Sequence, residues 1–539
     1  MLKRRARASS AGWLGAGLAA TLAVGACKGP DLISLGGEIA SGNVRYLSPT
    51  GDDINPGTMD SPWKTFGHAL PLLQPGWTLR LLDGPYDVGT SGMLNVRCAA
   101  AGPQSTVPGA IPASNGTPDN IIIVRADRDR QAWLRGDGRL PPISIDSCHD
   151  WSIEGFYATS QDADTHATNP ATGSVVVLDG PNQGVVLQRL LLAHANRYFA
   201  QAHLLRIGDG ASDVTVKTNE LYDFHASAIE AWRSHSLTIA RNYVNSRDTI
   251  DYPNVDAGIT LDGARGDYGV RLQETATVYV LNNVVEDVNT AFAVVGRDAN
   301  VDAPITSINS NDLLGNIAYR PWSIGFAIDS QCADQNPCDA AHTVIGTRLD
   351  NDVVYGGAMG FYDAGSVGTI VEQASVIRAA RGVYLWKDMH DAHIGATASV
   401  RDTLAVGFQS VAYAAGPNQT DWRFDHCAAS GGYDPTQTYE PDDPAKVTNK
   451  VTVTPDLGDC IAYLPANSML RMAGVTVGAN VVYQYSNLGQ PTTDLVWTPG
   501  FAGCGAQVTA TDVNDGSKPS CSDVAKRLNV NMGSCGLPL

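Results

Sequence analysis

The sequence predicts an all-β chain wound as a single right-handed parallel β-helix, with a capping helix at its N-terminal end and a cysteine-containing cap at the other. Three observations carry this expectation. The composition, with 55 Gly and 29 Pro among 539 residues, 43% apolar and 17% charged, suits many turns around a long core better than a helical bundle. An alternating strand followed by Asn recurs, as in Val214-Thr215-Val216-Lys217-Thr218-Asn219 and Leu237-Thr238-Ile239-Ala240-Arg241-Asn242. A short amphipathic segment precedes the repeats, as the open apolar end of a solenoid requires. The competing all-β folds, a sandwich or a propeller, lack support because no Trp-Asp or Gly-aromatic signal recurs in register.

The chain opens as a targeting segment. Lys3, Arg4, Arg5 and Arg7 precede an apolar run from about Ala11 to Val24, too short to span a bilayer as a mature helix. The run ends Leu22-Ala23-Val24-Gly25-Ala26-Cys27, which resembles a bacterial lipoprotein cleavage box. That resemblance implies removal of residues 1–26, lipidation of Cys27, and, with Lys28 next in sequence, residence at the outer membrane or cell surface. The formal charge is −18, and loss of the four basic residues with no acid takes the mature chain to −22. Such a body repels nucleic acid and anionic lipid, leaving a membrane contact through the anchor alone. An acidic ligand would need a local cation or a bound metal. Export makes disulfides plausible, with Cys98–Cys148, Cys427–Cys460 and Cys332–Cys338 as candidate pairs.

Residues 27–43 read as a tether and 44–118 as the N-terminal cap and first coils. Ser61 and Pro62 suit the N-cap and first position of a helix over 62–73. Trp63, Phe66, Leu70 and Leu73 share its apolar face. Pro75-Gly76 stops it, and Trp77 to Leu82 reads as a strand. The stretch from Tyr46-Leu47-Ser48-Pro49-Thr50-Gly51 through Ser61-Pro62-Trp63-Lys64-Thr65-Phe66 to Asp83-Gly84-Pro85-Tyr86 resembles the opening of secreted right-handed β-helix proteins, including calcium-dependent pectate lyases. Trp77 departs from the Asp usual there. The likeness covers residues 45–86, implies the fold, and carries no catalytic residue.

Coils are expected over 119–430. Asn219 and Asn242 are one three-sided turn apart, and the wider gap to Asn283 implies a coil with an insertion. Interior Asn side chains at such turns stack and satisfy backbone groups. Residues 431–539 read as a closing region, with a Pro- and Asp-rich stretch at 433–450, a segment at Leu464–Arg471 that resembles the close of secreted β-helix proteins, and a short helix at 522–528.

One strand of each coil aligns as Ala228–Trp232, Gly258–Asp262, Ala291–Val295, Gly325–Asp329, Gly360–Asp363 and Gly382–Trp386. Period two turns Ile229, Phe292, Phe326, Phe361 and Val383 inward. It turns Glu230, Tyr362 and Tyr384 outward, with Trp232, Asp262, Asp329 and Trp386. Aromatic faces stack on sugar rings and carboxylates bond hydroxyls or move protons, so Glu230, Asp262 and Asp329 are candidate catalytic groups. Trp232, Tyr362, Tyr384 and Trp386 are candidate substrate contacts. The bland alternative is an ordinary solvated solenoid face. Lys387 is a candidate lyase base beside Asp388 and Asp391, against the alternative of a solvated turn. Asp248, Asp251 and Asp256, in the insertion, are candidate calcium ligands; no other cofactor is implied. These readings converge on a monomeric, surface-anchored protein that processes an extracellular polysaccharide as lyase or glycoside hydrolase. The alternative is a non-catalytic surface protein that binds a glycan or another cell-surface partner.

Overall fold

The computed structural model describes residues 43–98, 108–160, 173–195, 202–246, 266–296, 309–330, 343–386, 397–416, 419, 421–430, 438–451, 481–485 and 495–499. Cys27, the acidic insertion with Asp248, Asp251, Asp256 and Asp262, the Lys387–Asp391 cluster, Cys332 and Cys338, and the Leu464–Arg471 and 522–528 segments lie outside these residues.

Three long sheets of 14, 12 and 13 strands run side by side, and every pairing within them is parallel. Each coil gives one strand to each sheet in turn. Thr215–Lys217 belongs to the first sheet, Glu220–Tyr222 to the second and Ser227–Trp232 to the third. His235–Ala240 then returns to the first sheet beside Thr215–Lys217. This is a parallel β-helix, as the sequence predicts. Its ladder bonds run between coils, so the lateral edges are paired and only the two ends are open.

The turn from the first to the second sheet shows why the Asn repeat exists. Asn219, Asn242, Asn283 and Asn316 stand at equivalent buried positions. The backbone N–H and side-chain Nδ2 of Asn242 both donate to Oδ1 of Asn283, each at 2.9 Å. Asn219 does the same to Asn242 at 3.0 and 2.9 Å, and Asn283 to Asn316 at 3.0 Å twice. The second Nδ2 hydrogen goes to a carbonyl, Ile239 O for Asn283 at 2.8 Å. Each side chain thus satisfies two turn backbones that would otherwise be buried unpaired. The residue before each rung adopts the left-handed region, with φ of 57° at Arg241, 55° at Asn282 and 58° at Asn351. In the Asp350-Asn351-Asp352 copy the rung is therefore Asp352, and Asn351 makes the turn. Asp352 Oδ1 accepts from Asn316 N and Nδ2 at 2.7 and 3.0 Å.

The first coil is closed by a shorter helix than the sequence suggests. Helix α1 spans Phe66–Ala69 and continues as one 3-10 turn over Leu70–Leu72, with Thr65 rather than Ser61 as its N-cap. Asp53 decides the start. Its carboxylate accepts from the Lys64 and Thr65 amides, both at 2.9 Å, and from the Thr65 hydroxyl at 2.7 Å. Trp63 is held extended by its bond to the Tyr46 carbonyl. Trp63, Phe66, Leu70 and Leu73 are all buried over the first coil, as expected.

Cys98 and Cys148 form a disulfide. Cys427 is a free, buried thiol, which corrects the Cys427–Cys460 pairing; burial pushes its pKa up to about 12. The coil stack also extends past 430. Tyr439–Glu440 pairs with Tyr413 and Ala414, and Val447–Thr448 with Phe424 and Asp425, where composition alone suggested a loop. Beyond it, Val481–Tyr485 and Leu495–Pro499 form an antiparallel pair. Among the described residues, no helix is long and apolar enough to cross a membrane.

Candidate functional site: the outer groove of the third sheet

The middle strands of the third sheet are six residues long, and simple alternation fails at their second position. Ala228, Gly269, Ala291, Gly325, Gly360 and Gly382 stand there. A Cβ on Gly325 would lie 2.5 Å from Val354 Cγ2, and one on Gly360 2.6 Å from Val376 Cγ2. These positions face inward against the second sheet, so only Gly or Ala fits. Positions 2, 3 and 5 line the core, and positions 1, 4 and 6 form the outer face. Inside, Phe292, Phe326 and Phe361 stack at 4.7 and 5.0 Å between centroids. Outside, the fourth position reads Glu230, Arg271, Ala293, Ala327, Tyr362, Tyr384 along the axis. The sixth reads Trp232, Gln273, Val295, Asp329, Ala364, Trp386.

This register corrects one strand. The coil after Ser227–Trp232 contributes Tyr268–Gln273, not Gly258–Asp262. The neighbour of Glu230 is therefore Arg271 rather than Thr260, and Asp262 holds no place in the row. Glu230 and Asp329 stand three rungs apart, about 14 Å at the usual strand spacing, on strands separated by Tyr268–Gln273 and Thr290–Val295. Paired glycosidase carboxylates sit about 5–9.5 Å apart, so these two do not form such a pair.

What the fold assembles is an ionic and aromatic cluster at one end of a small apolar floor. Glu230 is buried; Ser227 Oγ donates to its Oε2 at 2.9 Å, and Arg271 Nη1 lies 3.4 Å from Oε1. Arg206 is the preceding rung of the same row, giving an Arg–Glu–Arg ladder. Its guanidinium lies 5.7 Å from the Trp232 ring, whose other neighbour, Arg233, is at 4.6 Å. Arg233 is committed to Glu274 at 2.8 Å; among the described residues Arg206 has no carboxylate within ion-pair distance. Arg271 also lies 5.0 Å from the Tyr268 ring.

His203 Nδ1 is 3.3 Å from Glu230 Oε2, without hydrogen-bond geometry. Burial outweighs that carboxylate and pushes the imidazole pKa down to about 4, so His203 is neutral at pH 7 and the contact is not an ion pair. Burial raises the Tyr268 phenol above its ordinary value; Arg271 opposes the rise, and Asp267, Asp329 and Glu230 add to it. His225 precedes the strand, its Nδ1 is buried without a hydrogen-bond partner, and its carbonyl accepts from the Asp267 amide.

Ala293, Val295 and Ala327 form the floor, with Tyr268 and Tyr362 packed against it. Tyr362, Tyr384 and Trp386 continue the outward row, with centroid separations of 6.1 and 5.6 Å. Among the described residues no group of three or more His, Cys, Asp or Glu side chains is placed to hold a metal.

The molecule is thus a three-sheet parallel β-helix with a row of arginines, tyrosines and tryptophans on the outward positions of one sheet. No protein-family model matches the chain. Over 155 residues it is 26% identical to an uncharacterised protein of Bacillus subtilis, YwoF, spanning 28% of this chain and 29% of that protein's length. Among solved structures it is similar to pectate lyase Pel9A, at 11% identity and a TM-score of 0.37 over 82% of this chain and 86% of that one. It is likewise similar to the A-module of the Azotobacter vinelandii mannuronan C-5 epimerase AlgE6, at 12% identity and a TM-score of 0.43 over 71% and 92%. A third likeness is to XylC, solved with xylose, at 9% identity and a TM-score of 0.44 over 77% and 87%.

Proposed function

We propose that this chain processes a uronate-containing polysaccharide laid along the third sheet, cleaving it by β-elimination. The observation that carries the reading is the Arg206–Glu230–Arg271 ladder beside Trp232. It concentrates cations on a chain of formal charge −18, next to aromatic faces suited to sugar rings. Elimination needs a cation to neutralise the uronate carboxylate, which acidifies the neighbouring C5–H. Arg206 and Arg271 supply it. A base then takes that proton, the C5 electron pair forms the C4–C5 double bond, and the C4–O bond breaks. His225, whose carbonyl accepts from the amide of Asp267 next to Tyr268, is the base in this reading. Tyr268, held protonated by burial, gives its proton to the departing oxygen. The separation of Glu230 and Asp329 removes the support for a hydrolase using that pair.

The soluble mature chain incubated with polygalacturonate, alginate and neutral glycans, with and without calcium, tests this. Ultraviolet-absorbing unsaturated ends on a uronate polymer are the expected result. New reducing ends without that absorbance would replace the lyase by a hydrolase. Retention on a polymer without cleavage would leave a binding protein. We also propose that Cys27 is lipidated and holds the coil at the cell surface; the cleavage-box pattern and the basic N-terminal segment support this.

A further inference from the structure

The coil stack carries a carboxyl at a turn where the four preceding coils carry an amide. Asn219, Asn242, Asn283 and Asn316 are followed by Asp352, which is 0% exposed. In the last three of those amides the Nδ2 group uses both of its hydrogens. One goes to Oδ1 of the next member, except that Asn316 gives it to Asp352. The other goes to a carbonyl three residues before the previous member. That carbonyl is Val216 for Asn242 at 3.0 Å, Ile239 for Asn283 at 2.8 Å and Val280 for Asn316 at 2.9 Å.

Asp352 departs from this scheme in one atom. Its Oδ1 accepts from Asn316 N and Nδ2 at 2.7 and 3.0 Å, as an amide oxygen would. Its Oδ2 takes the place of the amide nitrogen and has no hydrogen-bond partner. By the spacing of the series it faces the Leu313 carbonyl, an acceptor. An ionised carboxylate only accepts, so it would set two acceptors against each other away from water. The neutral acid has one O–H to donate. One acceptor is also what remains, because the next turn holds Ala374 and offers no side-chain oxygen.

The surroundings favour the neutral form. Burial raises the Asp352 carboxyl well above its ordinary value; the bonds from Asn316 oppose the rise and Asp350 adds to it. Around the turn, Asp312, Arg348, Asp350, Glu372 and Arg401 hold outward positions of the first sheet. They are taken up with one another. Arg348 Nη2 lies 2.8 Å from Asp350 and 2.5 Å from Glu372, Arg401 pairs with the same Glu372, and Asp312 stands beside Arg348. On the second-sheet side Tyr319 and Tyr355 stack at 5.2 Å, with Arg320 and Arg378 over their rings.

From this we propose that Asp352 is folded in as the neutral acid, and that the turn it closes is a proton-dependent joint, shut while the carboxyl keeps its proton and loosened when it ionises. The coil entered through that turn carries Val353–Tyr355 and then Met359–Ala364, with Tyr362 on the outward row. Proton release therefore loosens the part of the row that begins at Tyr362, whether or not the row binds polysaccharide. The stability that Asp352 lends is full below its ordinary value of 3.8. It is lost as pH climbs toward the folded value, by up to about tenfold in the opening equilibrium per pH unit.

The test compares the full mature chain with Asp352→Asn and Asp352→Ala from about pH 5 to about pH 9. Asp352→Asn places an amide in the file and cannot titrate. Its urea midpoint is expected to gain on that of the unaltered chain as pH rises. Asp363 titrates in both proteins, so its contribution cancels in the difference. Hydrogen exchange, corrected for the intrinsic base-catalysed rate, locates the effect. Peptides holding Asn316 and residues 353–364 should open progressively with pH in the unaltered chain, approaching roughly tenfold per unit, and should not do so in Asp352→Asn. Asp352→Ala should sit lower than Asp352→Asn at every pH and follow the same trend as that variant. A gap from both variants that is constant with pH, or equal opening of those peptides in Asp352→Asn, overturns the assignment and leaves Asp352 a carboxyl of fixed charge.

Discussion

At the scale of single residues, Arg271 is the most exposed claim. Its guanidinium sits between the Glu230 carboxylate and the Tyr268 ring. In the proposed reaction it stabilises charge that develops only as the proton leaves. Removing one such donor costs about 10²–10³ in rate. Arg271→Ala is therefore expected to lose unsaturated product by that factor, with a smaller loss for Arg206→Ala; equal rates in the unaltered protein and Arg271→Ala would remove Arg271 from the mechanism. Asp363 makes a different claim. It occupies the inward fifth position, its carboxylate accepts from Ser366 N at 3.2 Å and Ser366 Oγ at 2.6 Å, and burial pushes its pKa up to about 6. A carboxyl whose pKa rises on folding favours the protonated chain. The stability it lends is full below its ordinary value of 3.8 and is lost as pH climbs through 6. Asp363→Asn should flatten the fall in urea midpoint across that window, and an unchanged slope would count against it. Period two sufficed to turn Glu230, Trp232, Tyr362 and Tyr384 outward. It missed Arg271 and Tyr268 because Gly258–Asp262 shows the same alternation as the true strand. The Asn rung held the missing signal: Asn242 follows Trp232 by ten residues, and counting ten back from Asn283 lands on Gln273.

At the scale of elements, the Asn turns set the coil more firmly than any strand does. After the first two, the second-sheet strands are only three residues long, Tyr243–Asn245 and Val284–Glu286 among them, and three ladder residues alone hold a register weakly. Asn283 Oδ1 accepts both donors of Asn242. Asn283→Ala strands those two buried groups at about 1–3 kcal/mol each. A loss of roughly 2–6 kcal/mol in urea unfolding is expected on that basis; less than about 1 kcal/mol would mean the sheets alone carry the register. The repeat was legible because turn chemistry recurs in sequence. The start of the capping helix was not, because Asp53, eleven residues upstream of Lys64, captures the amides that Ser61 and Pro62 seemed poised to organise. A helix start decided by a distant carboxylate leaves no mark in local propensity.

At the scale of the whole molecule, the proposed anchor makes a prediction of its own. A lipid at Cys27 would hold the chain at a surface. Cys27→Ala is expected to move the protein from the membrane fraction to the soluble one, with activity on uronate polymer retained. Membrane association that persists in that variant would argue for another means of attachment. The fold was readable at this scale because a solenoid repeats its own instructions coil after coil. The last rung, over 439–448, escaped because its strands are two residues long and sit in a Pro- and Asp-rich stretch.

The amide ladder also has an end. It runs from Asn219 to Asp352, and at the next two turns the corresponding places hold Ala374 and Thr403. Coils inside the ladder are bound to their neighbours by the sheets and by a continuous file of buried side chains; those beyond it keep the sheets and separate pairs such as Arg401–Glu372 and His426–Asp402. Drawn out from its C-terminal end, or exposed to deuterated solvent, the stack should therefore yield in two instalments. The coils past Asp352 would exchange and peel away first, taking Tyr362, Tyr384 and Trp386 with them, and the ladder would act as a stop behind which Arg206, Glu230 and Arg271 stay in place.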